Sequence, residues 1–410
     1  MTRDFSIGRR SVTGAALLGS AALLLGATGR RAFADALPAT VPSTVGGVVL
    51  ALPAPTGRHP VGCRAVYLVD GSRRDPWDSS VPVRELMLTF FYPARAVAGT
   101  APAPQLPPLA AEVFGAIAPY GPLRLPAAGV DWGATLSHSG PDAAALPGRR
   151  PVLVYSPGGG DPRGLGTSLA EELASHGAVV VTVDHPGDAA AVEFPGTTAF
   201  RPEPVRPTVF RGDPRDTPAL ARTMVDARVA DLRFVLDRLG RPAELPLPRG
   251  LSLDLRRLGV YGHSAGGSAV TELLHEDRRV RAGINLEGYL DLPPLRPGDA
   301  PEPLPVLRTG VDRPLLLLGT ELFDHAAELN RSWSALTARS APWVRTTRLP
   351  GAAHWAVTDL AALLPGLQSA GLTTPADRAA VVGTVRPAVG IPRVRRTVRE
   401  FFTRHLAAAP

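Results

Sequence analysis

The sequence predicts an α/β chain built on a mostly parallel central sheet, with helices on both faces and two irregular, lid-like insertions. Three observations predict it. Short apolar runs alternate with stretches of helical periodicity, as βαβ units require. The clearest runs are apolar along their length rather than at every second residue, so their strands are buried on both faces. No internal repeat and no change of composition marks a second folded unit, so residues 35–410 are expected to form a single domain.

The elements follow in chain order. Arg3, Arg9 and Arg10 precede an apolar stretch from Gly14 to Ala27, and Ala32-Phe33-Ala34 offers an A-x-A cleavage site. This is the order of an export signal over residues 1–34. The Arg9-Arg10 pair, followed by Ser11-Val12-Thr13, is similar to a twin-arginine signal. The apolar stretch is shorter than the roughly 20 residues that span a bilayer, so no stable membrane insertion is expected after cleavage, and the mature chain is expected to be secreted or periplasmic. Val83–Tyr92 reads as a strand. Pro151–Tyr155 reads as a second, ending in Ser156-Pro157-Gly158-Gly159-Gly160, and a helix with Leu165, Leu169 and Leu173 on one face follows. Ala178–Val183 is a buried strand. Asp226–Leu239 is a helix lined by Val229, Leu232, Leu236 and Leu239 and stopped by Gly240 and Pro242. Leu258–Tyr261, Val280–Leu286, Pro314–Leu318 and Trp343–Leu349 read as further strands, and Val394–Leu406 as an amphipathic terminal helix. Residues 97–149 and 187–222 break the rhythm and read as lids or binding loops.

Composition narrows the function. The chain of 410 residues is 45% hydrophobic and 20% charged, which excludes a disordered chain. The single cysteine, Cys63, excludes an internal disulfide and any cysteine-based metal site. The net charge of +7 does not imply a nucleic-acid partner. All 44 basic residues are Arg, five of them in residues 1–34, and no long basic run remains beyond. Arg201 to Arg215 read as a solvated surface.

Gly262-His263-Ser264-Ala265-Gly266 matches G-x-S-x-G, with Arg257–Tyr261 as a strand entering it and Ala265–Leu274 as a helix leaving it. A serine on a sharp strand-to-helix turn has its hydroxyl exposed, and the flanking glycines let the chain pass without a clash. Ser264 is therefore the expected nucleophile. It needs a base, which in such an arrangement comes late in the chain. His354, in the small-residue loop Gly351-Ala352-Ala353-His354-Trp355, meets that condition. His59, His138, His176 and His275 read as surface or packing residues, His405 lies in the terminal helix, and His325 reads as a loop residue near a helix start. His263 is expected to turn its side chain away from the attacking face. For the acid, Glu287, Asp291 and Asp324 all follow predicted strands, and spacing does not choose among them. Two backbone amides must face the developing oxyanion. Ala265, after the nucleophile, supplies one. Gly158 or Gly159 supplies the other, since Pro157 has no N–H. No Lys or G-K-[ST] follows the triple glycine, so it does not read as a phosphate loop.

Taken in order, several segments carry a resemblance. They are Leu52–Gly57, Arg73–Trp77, Phe91–Ala94, Tyr155–Gly159, Asp184–Gly187, the serine turn, Asn285–Gly288, Gly319–Glu321 and Gly351–Trp355. With them the chain resembles the α/β-hydrolases related to plasma-type platelet-activating factor acetylhydrolase, especially exported bacterial relatives. The resemblance implies an α/β-hydrolase fold and a calcium-independent serine esterase acting on short or oxidised acyl esters, including phospholipid sn-2 esters. It carries the nucleophile onto Ser264, the base onto His354 and the acid onto Glu287, where the family usually has Asp. It aligns the second oxyanion donor with Gly159, and Pro157 stands where the family often has His. The expected reaction runs through an acyl-enzyme, on a small-molecule or lipid ester, with no metal or organic cofactor. A lipase or a cutinase-like polyesterase on the same fold is the alternative.

Overall fold

The computed structural model describes residues 46–407 except 98 and 297, so the predicted export signal lies outside the described residues. Nine strands form one sheet: β1 (Val61–Asp70), β2 (Arg84–Pro93), β3 (Gly140–Pro141), β4 (Arg149–Ser156), β5 (Val179–Asp184), β6 (Ser252–His263), β7 (Ala282–Leu286), β8 (Leu315–Thr320) and β9 (Val344–Leu349). Their spatial order is β9-β8-β7-β6-β4-β5-β2-β1-β3. The strands from β9 to β5 pair in parallel, and β2 joins β5 antiparallel. β5, β7 and β8 are buried along their whole length, as in Val179-Val180-Val181-Thr182-Val183-Asp184, and β4 and β6 over their C-terminal halves, because helices cover both faces. The β-branched run suits a strand with no solvated side.

On one face pack α2 (Thr167–Ser175), α6 (Leu360–Ser369) and α7 (Pro387–His405), through Leu169, Leu173, Leu363, Leu367, Val398 and Phe402. On the other pack α3 (Pro218–Leu239), α4 (Ala265–Glu276) and α5 (Ala326–Ser340), through Val225, Leu232, Leu236, Val270, Leu273, Leu329 and Leu336. A short helix, α1 (Pro108–Ile117), lies within the first irregular segment.

The periodic segments match the sequence reading in type and differ in extent. α3 starts at Pro218, inside the segment read as irregular, because a proline in the first turn sacrifices no hydrogen bond there. α7 begins seven residues before Val394, at Pro387. The sequence does not predict β1, β3, α1 or α6, and of α5 it predicts only a helix start near His325. β1 carries Arg64, Tyr67 and Asp70 among its apolar residues. α5 and α6 lie in stretches where polar residues or a proline interrupt the pattern.

Candidate active site

The candidate residues meet at the C-terminal ends of the parallel strands, where open α/β sheets place their ligands. Ser264 joins β6 to α4 with φ 51° and ψ −121°, a conformation that costs a residue with a Cβ on the order of 1–3 kcal/mol. The surroundings hold it there. A Cβ on Gly266 would overlap the carbonyls of Ser156 and Pro157, so only glycine lets α4 start so close to the end of β4. The Ser264 amide donates to the Leu286 carbonyl at 2.8 Å.

Glu287 follows directly, at the end of β7, and it too has positive φ, 63°. Its side chain is fully buried. Oε2 meets His354 Nδ1 at 2.9 Å. Oε1 accepts from the Thr320 amide and, at 2.8 Å, from the Thr320 hydroxyl, so the end of β8 orients the carboxylate. The other two acids lie elsewhere. Asp291 faces Arg215 and Arg331, and Asp324 is exposed.

His354 opens the short helical turn His354–Val357 that follows the loop after β9, with 12% of its side chain exposed. Phe323 stacks on the imidazole at 4.7 Å with a 17° angle between planes. Burial lowers the His354 pKa, and neighbouring His263 lowers it further; the hydrogen bond to Glu287 and the charge of Glu287 oppose both. The imidazole is therefore neutral near pH 7. Its Nδ1–H is directed to Glu287, which leaves Nε2 as a free base.

His263 does not turn away from this group as expected. It is fully buried, its ring lies 4.6 Å from that of His354, and its Nε2 is 3.0 Å from the His354 carbonyl. Its Nδ1 faces Asp161 at 3.3 Å, and Trp355 Nε1 donates to Asp161 at 3.4 Å. His263 and Trp355 thus pack around the His354 loop. The motif marked position 263 only as a spacer, so nothing local could reveal this contact.

Gly159 lies against Ala265: a Cβ on it would sit 3.7 Å from the Ala265 Cβ. Neither amide hydrogen has a hydrogen-bond acceptor among the described residues. The arginines read as solvated are partly otherwise. Arg201 pairs with buried Glu85 and Arg206 with buried Asp75, while Arg215 lies 3.8 Å over the Tyr289 ring. Residues 103–108 of the first irregular segment help line a cavity of about 410 Å³ with Cys63, Phe91 and Arg163; Ser264, Glu287 and His354 do not line it. Among the described residues no cluster of His, Cys, Asp and Glu is placed to hold a metal ion.

Known proteins share this architecture and sequence. The family model for platelet-activating factor acetylhydrolase, isoform II, matches residues 120–207. A probable 1-alkyl-2-acetylglycerophosphocholine esterase of Arthroderma benhamiae is 28% identical over 390 residues, 90% of each chain. Platelet-activating factor acetylhydrolase of Cavia porcellus is 25% identical over 207 residues, 44% of this chain and 42% of that one. The solved ferulic acid esterase of Streptomyces cinnamoneus superposes with a TM-score of 0.67 at 33% identity, covering 88% of this chain and 95% of that one. The chain belongs to the α/β-hydrolases related to platelet-activating factor acetylhydrolase. It is a serine esterase, a hydrolase of carboxylic ester bonds. Its nine-stranded, mostly parallel sheet is that of the family fold, as the sequence predicted.

Proposed function

We propose that Ser264, His354 and Glu287 form the catalytic triad of this esterase, and that it cleaves short acyl esters, among them the sn-2 acetyl ester of an alkyl-acetyl glycerophosphocholine. Ser264 Oγ attacks the ester carbonyl while His354 Nε2 takes its proton. The amides of Ala265 and Gly159 hold the oxyanion. His354 then protonates the leaving alcohol, and water releases the acid from the acyl-enzyme. Glu287 holds the imidazole in the tautomer this requires and stabilises the imidazolium that forms.

The observation that carries this reading is the joined geometry of the three residues. The Ser264 backbone amide donates to the carbonyl of Leu286, the residue before Glu287, and Glu287 Oε2 lies 2.9 Å from His354 Nδ1. The acetyl-ester preference rests on the names of the relatives. The aromatic wall of Phe323 and Tyr289 beside His354, their rings 5.9 Å apart, and the ferulic acid esterase likeness favour an aromatic acyl group as a second reading. Export by the twin-arginine route is part of the same proposal, supported by Arg9-Arg10 and the apolar stretch behind them. No helix among the described residues is long and apolar enough to cross a membrane.

The test is hydrolysis of p-nitrophenyl esters from acetyl to palmitoyl, and of methyl ferulate, by the wild type and Ser264→Ala without added calcium. Turnover that peaks at acetyl and vanishes in the variant supports the reading. A peak at ferulate moves the assignment to aromatic esters, and a peak at long chains to a lipase. Turnover that survives in Ser264→Ala removes the triad. Mass spectrometry of the exported protein, showing whether the mature chain begins after Ala34, tests the leader.

A further inference from the structure

A second Ser–His–Asp chain lies behind the oxyanion loop and is sealed from solvent. Ser156 Oγ is 2.9 Å from His185 Nε2, and His185 Nδ1 is 3.0 Å from Asp231 Oδ2. All three residues are at most 1% exposed, so no substrate reaches them. The pKa of His185 is lowered, by burial first and by Arg228 next, so its imidazole is neutral. It can then donate from Nδ1 to Asp231 and accept the Ser156 hydroxyl proton at Nε2.

Ser156 also accepts a hydrogen bond from Arg228, and that arginine binds the whole loop. Its side chain is fully buried on α3, and its five N–H groups are all engaged. Nε donates to Asp188 Oδ2 at 2.6 Å. Nη1 donates to Ser156 Oγ at 3.2 Å and to the Pro157 carbonyl at 2.5 Å. Nη2 donates to the Gly158 carbonyl at 2.8 Å and to Asp188 Oδ1 at 2.8 Å. Asp188 Oδ1 also accepts the Gly160 amide at 2.9 Å. Arginine and aspartate therefore grip four of the five residues from Ser156 to Gly160, all but Gly159.

The consequence follows from the planarity of the peptide. In a trans peptide the C=O and the next N–H point in opposite directions. With the Pro157 and Gly158 carbonyls drawn to Arg228, the Gly158 and Gly159 amide hydrogens point away from it. Gly159 lies beside Ala265, since a Cβ built on it would meet Met224 Sδ at 3.0 Å and the Ala265 Cβ at 3.7 Å, and its amide has no acceptor among the described residues. We propose that Arg228 is a positioning residue for the esterase reaction: by holding the Pro157 and Gly158 carbonyls it aims the Gly159 amide at the oxyanion formed on Ser264. The inference rests on the reading of Ser264 as the nucleophile. Arg228 touches neither substrate nor the reacting atoms; it acts through the loop.

Arg228→Lys keeps the charge but cannot reach both carbonyls and both Asp188 oxygens. With the best p-nitrophenyl ester, its kcat is expected to fall ~10²-fold, in the range for loss of one oxyanion donor. KM is expected to stay within about threefold, because the ground-state carbonyl makes little use of the hole. Affinity for an alkyl trifluoromethyl ketone, which forms an oxyanion on the serine, should fall by the same factor as kcat/KM. The acid limb of the pH profile should stay in place. A merely structural role would move KM and the pH limb along with kcat.

A folded Arg228→Lys with unchanged kcat overturns the proposal. If Arg228→Lys has no thermal transition, the paired variant Arg228→Gln with Asp188→Asn carries the test, since it removes both buried charges together and can hold at most one of the two loop carbonyls. A fall of roughly tenfold in its kcat at constant KM supports the proposal, and an unchanged kcat overturns it. Ser264→Ala, assayed beside them, keeps the two readings apart. Loss of turnover there with full kcat in Arg228→Lys rejects only the role of Arg228. Surviving turnover rejects the triad and this inference together.

Discussion

The amide of Ser264 donates to the carbonyl of Leu286 at 2.8 Å, so the serine turn and the turn that carries Glu287 are one hydrogen-bonded unit. Both turns hold a residue with a Cβ in the positive-φ region. A change that moves the Glu287 turn should therefore displace Ser264 as well.

Gly288 is the position where this can be tested. A Cβ there would overlap the Ser264 carbonyl and lie 2.5 Å from the Ser268 amide. Gly288→Ala should cost about 1–3 kcal/mol, the usual range for overpacking. It should also lower kcat more than KM. Thermal melting and steady-state kinetics together check this; a variant with wild-type melting and kcat would show that the two turns are independent.

Glu287→Gln preserves shape but removes the charge that stabilises the imidazolium. Its kcat should drop ~10³–10⁴-fold. Glu287→Asp keeps the charge but is one methylene shorter, so it cannot hold both Thr320 and His354. A loss of ~10–100-fold is expected, in line with a misplacement of about 1 Å. Full activity in Glu287→Gln would exclude this carboxylate as the acid.

The pH profile should follow His354. The base works neutral, so activity is lost as pH falls through its pKa. Burial and His263 place that pKa below the ordinary histidine value near 6.5, and so the acid limb of kcat/KM lies below pH 6.5. Phe323→Ala opens the stacked face of the imidazole to water. That weakens the desolvation and moves the limb up toward 6.5. A limb that stays put, or moves down, contradicts the stated cause.

Glu272 offers a stability test away from the site. Burial pushes its carboxyl up to about 7, opposed by the Val306 amide. A folded pKa above the unfolded value near 4.5 means that the folded state holds the proton longer. Stability is therefore highest below about 4.5 and falls as pH rises toward 7. The melting temperature of Glu272→Gln relative to wild type should rise between pH 5 and pH 8. A constant difference across that range would show that Glu272 titrates normally.

The fold was legible because its strands and helices differ in period and the buried parts of the central strands are apolar runs. The sharp turn at Ser264 was legible from the glycines around it, and the loop that brings in His354 from its place after the last strand. The carboxylate partner of His354 was not legible from spacing, since Glu287, Asp291 and Asp324 each follow a strand. Only the three-dimensional contacts separate them: Glu287 turns to His354 and Asp291 to arginines. Arg228 gave no local signal, because its partners lie 40 to 72 residues away along the chain. Arg201 and Arg206 misled for the same reason, since Glu85 and Asp75 are more than a hundred residues earlier.

The ion pairs behind the oxyanion loop also bear on salt tolerance. Dissolved ions screen charges that water can reach and act far less on buried ones. Arg278–Asp312 and Arg233–Glu276 are solvent-accessible and weaken as salt is added. The side chains of Arg84, Asp231, Arg228 and Asp188 are at most 1% exposed. Guanidinium groups also stay charged at any pH an esterase meets. Concentrated brine therefore loosens the outer ion pairs while the amides behind Ser264 keep their aim.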